Sequence, residues 1–186
     1  MHQPHYLIPA HARGTETDIA CGFTAESIDD ASDLFVDAKD RLLAVTDWSD
    51  YGSLESVHFR LADSHGNTVR RHARRGDHIL ISSAGDGDQP ATSFDRYIIE
   101  ALEYDDYPDE NRETFAIRLR PTVPEGADAP NDTATIVIGR TGLVLSAVYH
   151  GRNRVDTDDD LWHGLEEEQW SMLMKGLLDY YDQDML

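Results

Sequence analysis

The sequence predicts an α+β fold in which a mostly antiparallel curved sheet of about six strands packs on a long C-terminal helix plus an N-terminal helix. Three observations carry that reading. Ile28, Ala31, Phe35, Ala38 and Leu42 recur at three- and four-residue steps, the period of an amphipathic helix. Between Val57 and His150, short runs alternate apolar with polar residues and are separated by Gly, Pro, Asn and Asp clusters, the mark of strands and turns. Trp162, Leu165, Trp170, Leu173, Leu177 and Tyr181 then return to helical spacing.

Taken in order, residues 1–16 read as a flexible arm, because Pro4, Pro9 and Gly14 interrupt any period, and residues 17–186 as one domain. Ile19, Cys21 and Phe23 alternate on one face of a short strand over Thr17–Phe23. Ser27 is the expected N-cap of the first helix. Asp30 three residues on makes an aspartate variant of the capping box, and Asp29 suits the positive helix end. The helix is expected to run to Val45, with Leu34 beside its apolar stripe and Asp33, Asp37 and Asp40 on the other side. Residues 46–53 read as a loop.

Strands are expected at Val57–Leu61, Thr68–Ala73, His78–Ile81, Phe94–Tyr104 and Phe115–Leu119, with an acidic loop over Asp105–Arg112. Thr133–Ile138 and Leu143–His150 flank Gly139-Arg140-Thr141-Gly142, the clearest hairpin signal in the chain. After the acids Asp156–Asp160 the final helix begins, its stripe widened by Met174 and Leu178.

Charge narrows the function classes. Of 186 residues, 36 are Asp or Glu against 16 Lys or Arg, a formal charge of −20. Such a surface repels itself until salt shortens the screening length, so the composition resembles that of proteins adapted to high salt. Binding to nucleic acid needs a basic surface that releases counterions, and anionic membranes disfavour an acidic one, so neither is expected as a partner. The single cysteine, Cys21, excludes an intrachain disulfide and a multi-cysteine metal site. No apolar run reaches the roughly 18 residues of a membrane span. The start, Met1–Tyr6, lacks the basic and apolar regions of a signal peptide, and a cytoplasmic location is expected.

The order of one helix, a run of antiparallel strands and a long aromatic final helix resembles the helix-grip arrangement of the START-like or Bet v 1-like superfamily (SRPBCC), over residues 17–182. Thr46-Asp47-Trp48-Ser49-Asp50-Tyr51 is similar to that superfamily's Asp-x-x-x-Tyr segment after the first helices. The resemblance implies a cavity between sheet and final helix able to hold an apolar molecule. Some members cyclise or dehydrate a substrate there and many only bind, so fold alone does not choose. A small β-barrel with flanking helices is the alternative architecture.

The candidate site is the end of the last strand. His150, Arg152 and Asn153 gather an imidazole, a guanidinium and an amide on a turn beside the final helix, where a helix-grip cavity would open, with Trp162 and Trp170 as its apolar wall. The competing reading is a structural turn in which Asn153 and Gly151 satisfy left-handed geometry. Arg70, Arg71, Arg74 and Arg75 form an anion clamp or else pair with this chain's many carboxylates. His72, Asp77 and His78 carry metal-ligand chemistry, but neighbours on a strand point opposite ways. Cys21 reads as a buried structural thiol. No catalytic motif, cofactor or metal is expected. A protein binding a small apolar or aromatic molecule ranks first, a protein–protein interaction module second, and a cyclase- or dehydratase-like enzyme third.

Overall fold

Period-two alternation gives every long strand of this chain one apolar and one polar face, and the fold follows from burying the apolar one. The computed structural model describes residues 6–83, 95–122, 132–154 and 167–179. It contains β1 (Thr15–Thr24), α1 (Ile28–Leu43), α2 (Trp48–Tyr51), β2 (Val57–Ala62), β3 (Thr68–Val69), β4 (His78–Ser83), β5 (Asp95–Tyr107), β6 (Arg112–Pro121), β7 (Thr133–Thr141), β8 (Val144–Arg154) and α3 (Glu167–Leu177). The strands form one sheet in the order β1-β8-β7-β6-β5-β4-β2-β3, with every ladder antiparallel. Among the described residues β1 and β3 are its two ends. The sheet is therefore open, and the small-barrel alternative is overturned in favour of the helix-grip arrangement.

The core lies between the inner sheet face and the helices. Phe59, Leu61, Ile79, Ile81, Ile117, Ile136 and Ile138 line it from the sheet. Ala31, Phe35, Ala38 and Leu42 enter from α1, and Trp170, Leu173, Met174 and Leu177 from α3. α1 starts where the sequence placed it: the Asp30 amide donates to Ser27 Oγ at 3.1 Å, and Ser27 Oγ donates to Asp30 Oδ2 at 2.7 Å.

Among the described residues the sheet has eight strands, one for each alternating segment of the sequence. Three expectations are corrected. Residues 46–53 are not a loop, because Trp48 is fully buried and its segment coils to bring it in, as a 3-10 turn at Val45–Asp47 followed by α2. Trp48 Nε1 donates to the Leu42 carbonyl at 3.1 Å and its ring meets Phe59 edge-on at 5.4 Å. The strand expected over Thr68–Ala73 pairs only at Thr68 and Val69, after which the Ala73 amide is drawn to the Leu43 carbonyl at the end of α1. The β7–β8 turn closes later than the glycine signal suggested. Gly139 and Arg140 stay in the ladder, and Gly142, at φ 58°, makes the turn where Thr141 pairs with Val144.

The outer sheet face is also partly covered. The segment expected as a flexible arm lies, from Tyr6 onward, along this face. Leu7 is buried on Ala116 and Val137, with Ile8 and Ala101 packed against them. Arg118 Nη1 donates to the Leu7 carbonyl at 3.2 Å. Tyr6 donates its hydroxyl to Glu103, whose carboxylate pushes the phenol pKa up to about 12.

Candidate functional site

Strand alternation decides the fate of the residues at the end of β8. Tyr149 points into the core and stacks on Trp170, ring centroids 4.1 Å apart. His150, the next residue, therefore points to the outer face, where it sits opposite Asp18 of β1, with Nδ1 2.6 Å from Asp18 Oδ1. A carboxylate only accepts, so the imidazole donates from Nδ1. Burial pushes the His150 pKa below its ordinary value, outweighing the opposite pull of Asp18. Burial also acts to raise the Asp18 pKa, but hydrogen bonds from His150 and Arg152 hold it below the usual carboxylate range.

Arg152 shares this outer face. Its guanidinium lies 2.7 Å from Asp18 Oδ1 and 3.2 Å from Glu16 Oε1, and it donates to the carbonyls of Gly151 at 2.9 Å and Thr17 at 3.3 Å. Asn153, at φ 56°, holds the N-terminal segment in place. Its Oδ1 accepts from the amides of Ala12 at 2.7 Å and Arg13 at 3.2 Å, and its Nδ2 donates to the Ala10 carbonyl at 3.2 Å.

The four described residues of the expected site are thus not all brought together. His150, Arg152 and Asn153 tie β8 to β1 and to residues 10–13, while Trp170 fills the core on the opposite face of the sheet. Trp162 lies outside the described residues. His150 and Arg152 do not face the Trp170 ring, and where the sequence suggested a cavity mouth Arg152 pairs with Glu16 and Asp18.

The other motifs also turn out structural. Arg71 grips Asp77 with two hydrogen bonds, at 2.6 and 3.0 Å, and the Arg74 amide adds a third at 2.8 Å. Burial alone would raise the Asp77 pKa, but these donors lower it. Asp77 is thereby taken from any metal set with His72 and His78. Arg75 Nε donates to the Glu100 carbonyl at 3.1 Å, and Arg70 lies 3.4 Å from Asp47. Burial pushes the Cys21 thiol up to about 11, which keeps it protonated and poorly nucleophilic. Among the described residues no group of three His, Cys, Asp or Glu side chains is placed to hold a metal ion, and no helix is long and apolar enough to cross a membrane.

A concavity does occur elsewhere, at the junction of the sheet and α1. The end of β1 and the first turns of α1 border an open surface groove of about 420 Å³. Phe23, Ala25 and Leu34 supply its apolar surface, and Glu26, Asp30, Asp33 and Asp37 stand around it. The local sequence explains the shape. Phe23 is the last inward residue of β1, and the Ala25 amide is held by the Leu143 carbonyl at 2.8 Å, so the chain turns sharply into the Ser27 cap. Leu34 comes two turns into the helix, between the acidic positions, and is half-buried against the core on the flank of the buried stripe. Asp30, Asp33 and Asp37 follow at three- and four-residue steps and so share one side of α1. The sequence places Asp33 and Asp37 only on the side away from the apolar stripe, and Asp30 in the helix cap. The available signal was Leu34 itself, an apolar residue flanked by carboxylates that fall on its own side of the helix. A second, smaller concavity of about 160 Å³ lies between Ala44, Asp47, Arg70 and His72.

No family model and no curated protein matches the sequence. Among solved structures the chain is similar to the crystal structure of Ara h 8.0201, at 11% identity and a TM-score of 0.41 over 89% of this chain and 97% of that one. It is likewise similar to ginseng major latex-like protein 151 from Panax ginseng, at 9% identity and a TM-score of 0.39 over the same shares. These are likenesses of backbone path, and no residue's role is carried over from them.

Proposed function

We propose that this chain is a binding protein that holds a small apolar or aromatic molecule in the groove between β1 and α1. The observation that carries the reading is the groove's volume of about 420 Å³ over an apolar surface of Phe23, Ala25 and Leu34. Sites for small ligands usually measure about 300–1,000 Å³ and combine an apolar wall with a few polar groups. A molecule seated there removes apolar surface from water at both partners, worth about 25 cal/mol for each Å² covered. The same groove is continuous with the main core through Phe23 and Leu34, so its wall is backed by packed side chains.

The test is titration of the intact protein with the neutral dye N-phenyl-1-naphthylamine, read by fluorescence and by methyl NMR. Saturable binding with shifts at the Ala25 and Leu34 methyls, and none at Ala116 and Val137 of the outer face, is the expected result. Shifts confined to the outer face, or no saturable binding, would overturn the proposal.

A further inference from the structure

We propose that the strap formed by residues 6–13 is exchanged between two copies of this chain, so that Leu7 of each copy fills the Ala116–Val137 socket of the other. The segment is bound as a ligand would be. Leu7 is buried on Ala116 and Val137 of the outer sheet face. Arg118 Nη1 donates to the Leu7 carbonyl, and Asn153 Nδ2 to the Ala10 carbonyl, each at 3.2 Å. Asn153 Oδ1 accepts from the Ala12 and Arg13 amides, and the Asn153 amide donates to His11 Nδ1 at 3.4 Å. Arg118 and Asn153 lie 111 and 143 residues further along the chain than the carbonyls they bind. The receiving surface is therefore built wholly by the folded body, and a second copy offers it complete.

Three features make the strap exchangeable. It joins β1 through Gly14, whose φ of 75° suits glycine, and the β1–β8 register shifts between Thr15 and Thr17. The strap can therefore swing about that joint while the ladder from Thr17 onward stays paired. Closure in cis is also opposed from beneath. Thr133 and Thr135 share the outer face of β7 with Val137, because one face recurs at every second residue. They are 2% and 0% exposed, and neither hydroxyl has a hydrogen-bond partner among the described residues. The strap is fixed at Val137 and at Asn153, whose neighbour Arg152 pairs with Thr133, so its course runs over both hydroxyls. Covering them withdraws them from water without a bond in return. Charge is the third feature. Residues 1–15 hold one Arg and no Asp or Glu, which leaves 15 − 36 = −21 on the rest of the chain. The strap thus reaches a second acidic copy without like-charge repulsion. Exchange of an identical element needs no new complementarity, and reciprocal exchange closes as a two-fold dimer.

The experiment uses two samples of the full chain, one isotope-labelled at its leucine methyls and the other at its valine methyls. They are mixed in urea, where every copy is unfolded, and refolded together at millimolar concentration in about 1 M chloride, which screens repulsion between the bodies. Circular dichroism confirms the refolded state. A doubly edited NOE between Leu7 and Val137 methyls arises only between copies. Its appearance, with a dimer by sedimentation, is the expected result. Leu7→Ser should raise the dimer's dissociation constant by about ten-fold or more, because it empties both sockets. The main core contains no residue of the strap, so the variant should keep the fold; were it lost, the NOE on the unaltered chain decides alone. A monomer at every concentration would overturn the proposal. A dimer without the Leu7–Val137 NOE would overturn it too, since that dimer assembles through another surface, and so would a Leu7→Ser dimer as tight as that of the unaltered chain.

Discussion

Tyr149 and Trp170 stack with ring planes 18° from parallel and centroids 4.1 Å apart, so β8 and α3 are joined by a face-to-face aromatic contact inside the core. Trp170 retains only 3% of its accessible surface. Trp170→Ala should therefore destabilise the fold by about 3–5 kcal/mol, the usual cost of deleting a buried indole. Trp170→Phe should recover part of it by keeping the stack. Urea unfolding of the two variants checks this. A loss below about 1 kcal/mol for the alanine variant would mean that α3 does not rest on β8.

Gly176 gives a prediction of unusual sign. Glycine to alanine inside a helix ordinarily gains about 1 kcal/mol. Here a Cβ at residue 176 would collide with the Tyr51 carbonyl and come within 3.1 Å of the Gly52 nitrogen, and these are backbone atoms that cannot swing aside. Gly176→Ala should lower stability by about 1–3 kcal/mol as α3 is pushed off α2. A raised thermal midpoint would show that the two helices are not in this close contact.

Asn153 separates backbone from side-chain effects. Asn153→Gly keeps the positive φ without strain but deletes the hydrogen bonds to residues 10, 12 and 13. The Ala12 and Arg13 amides should then exchange with deuterium markedly faster while the β6–β7 ladder stays protected. Asn153→Ala should cost about 1–2 kcal/mol more than the glycine variant, because alanine strains at this φ. Equal exchange in the native protein and the glycine variant would show that the side chain does not hold the segment.

Protonation of His150 should weaken the fold. Burial holds its folded pKa below the ordinary value of about 6.5, so the unfolded chain binds the proton more readily. The stability contributed by the neutral ring is fully present above about pH 6.5 and is lost as pH falls toward the folded pKa. His150→Gln should flatten that part of the stability–pH curve. A slope that persists unchanged in the variant would assign it to another histidine.

Chloride should stabilise the protein. The formal charge of −20 repels itself in the compact state, and raising salt from about 0.1 M to about 1 M shortens the screening length from about 10 Å to about 3 Å. The thermal midpoint should climb across that range. A flat or falling midpoint would show that adaptation to high salt does not explain the charge.

The elements that strong periodicity marks were legible in the sequence. α1 begins at the cap that Ser27 and Asp30 announce, and its buried face is the predicted stripe of Ala31, Phe35, Ala38 and Leu42. The misreadings have a common physical source, since sequence shows alternation but not which neighbour a face will meet. Trp48 looked like a loop residue because only the packed fold supplies the Phe59 ring against which it turns. Arg140 looked like a turn residue because its partner Glu113, 2.6 Å away, lies across a strand boundary that polar acidic residues conceal. Parity decides which way each candidate side chain points. His150 and Tyr149 are adjacent in the chain and so lie on opposite faces of the sheet, and a polar group one position away would have met the core. The groove at α1 was hidden because its acids lie on the side away from the apolar stripe, which the sequence leaves without a neighbour.

The pairing of β1 with β8 also sets a timetable for synthesis. Asp18 and His150, neighbours across that ladder, are separated by 132 residues of chain. At about 5–20 residues per second, the first strand leaves the ribosome roughly 10 s before the strand that completes its hydrogen bonds. Throughout that interval α1 has no complete sheet on which to bury Phe35 and Leu42. Loop closure over such a span is slow and leaves apolar surface exposed meanwhile. The nascent chain should therefore engage a chaperone until the end of β8 is translated, and release from it should depend on that strand.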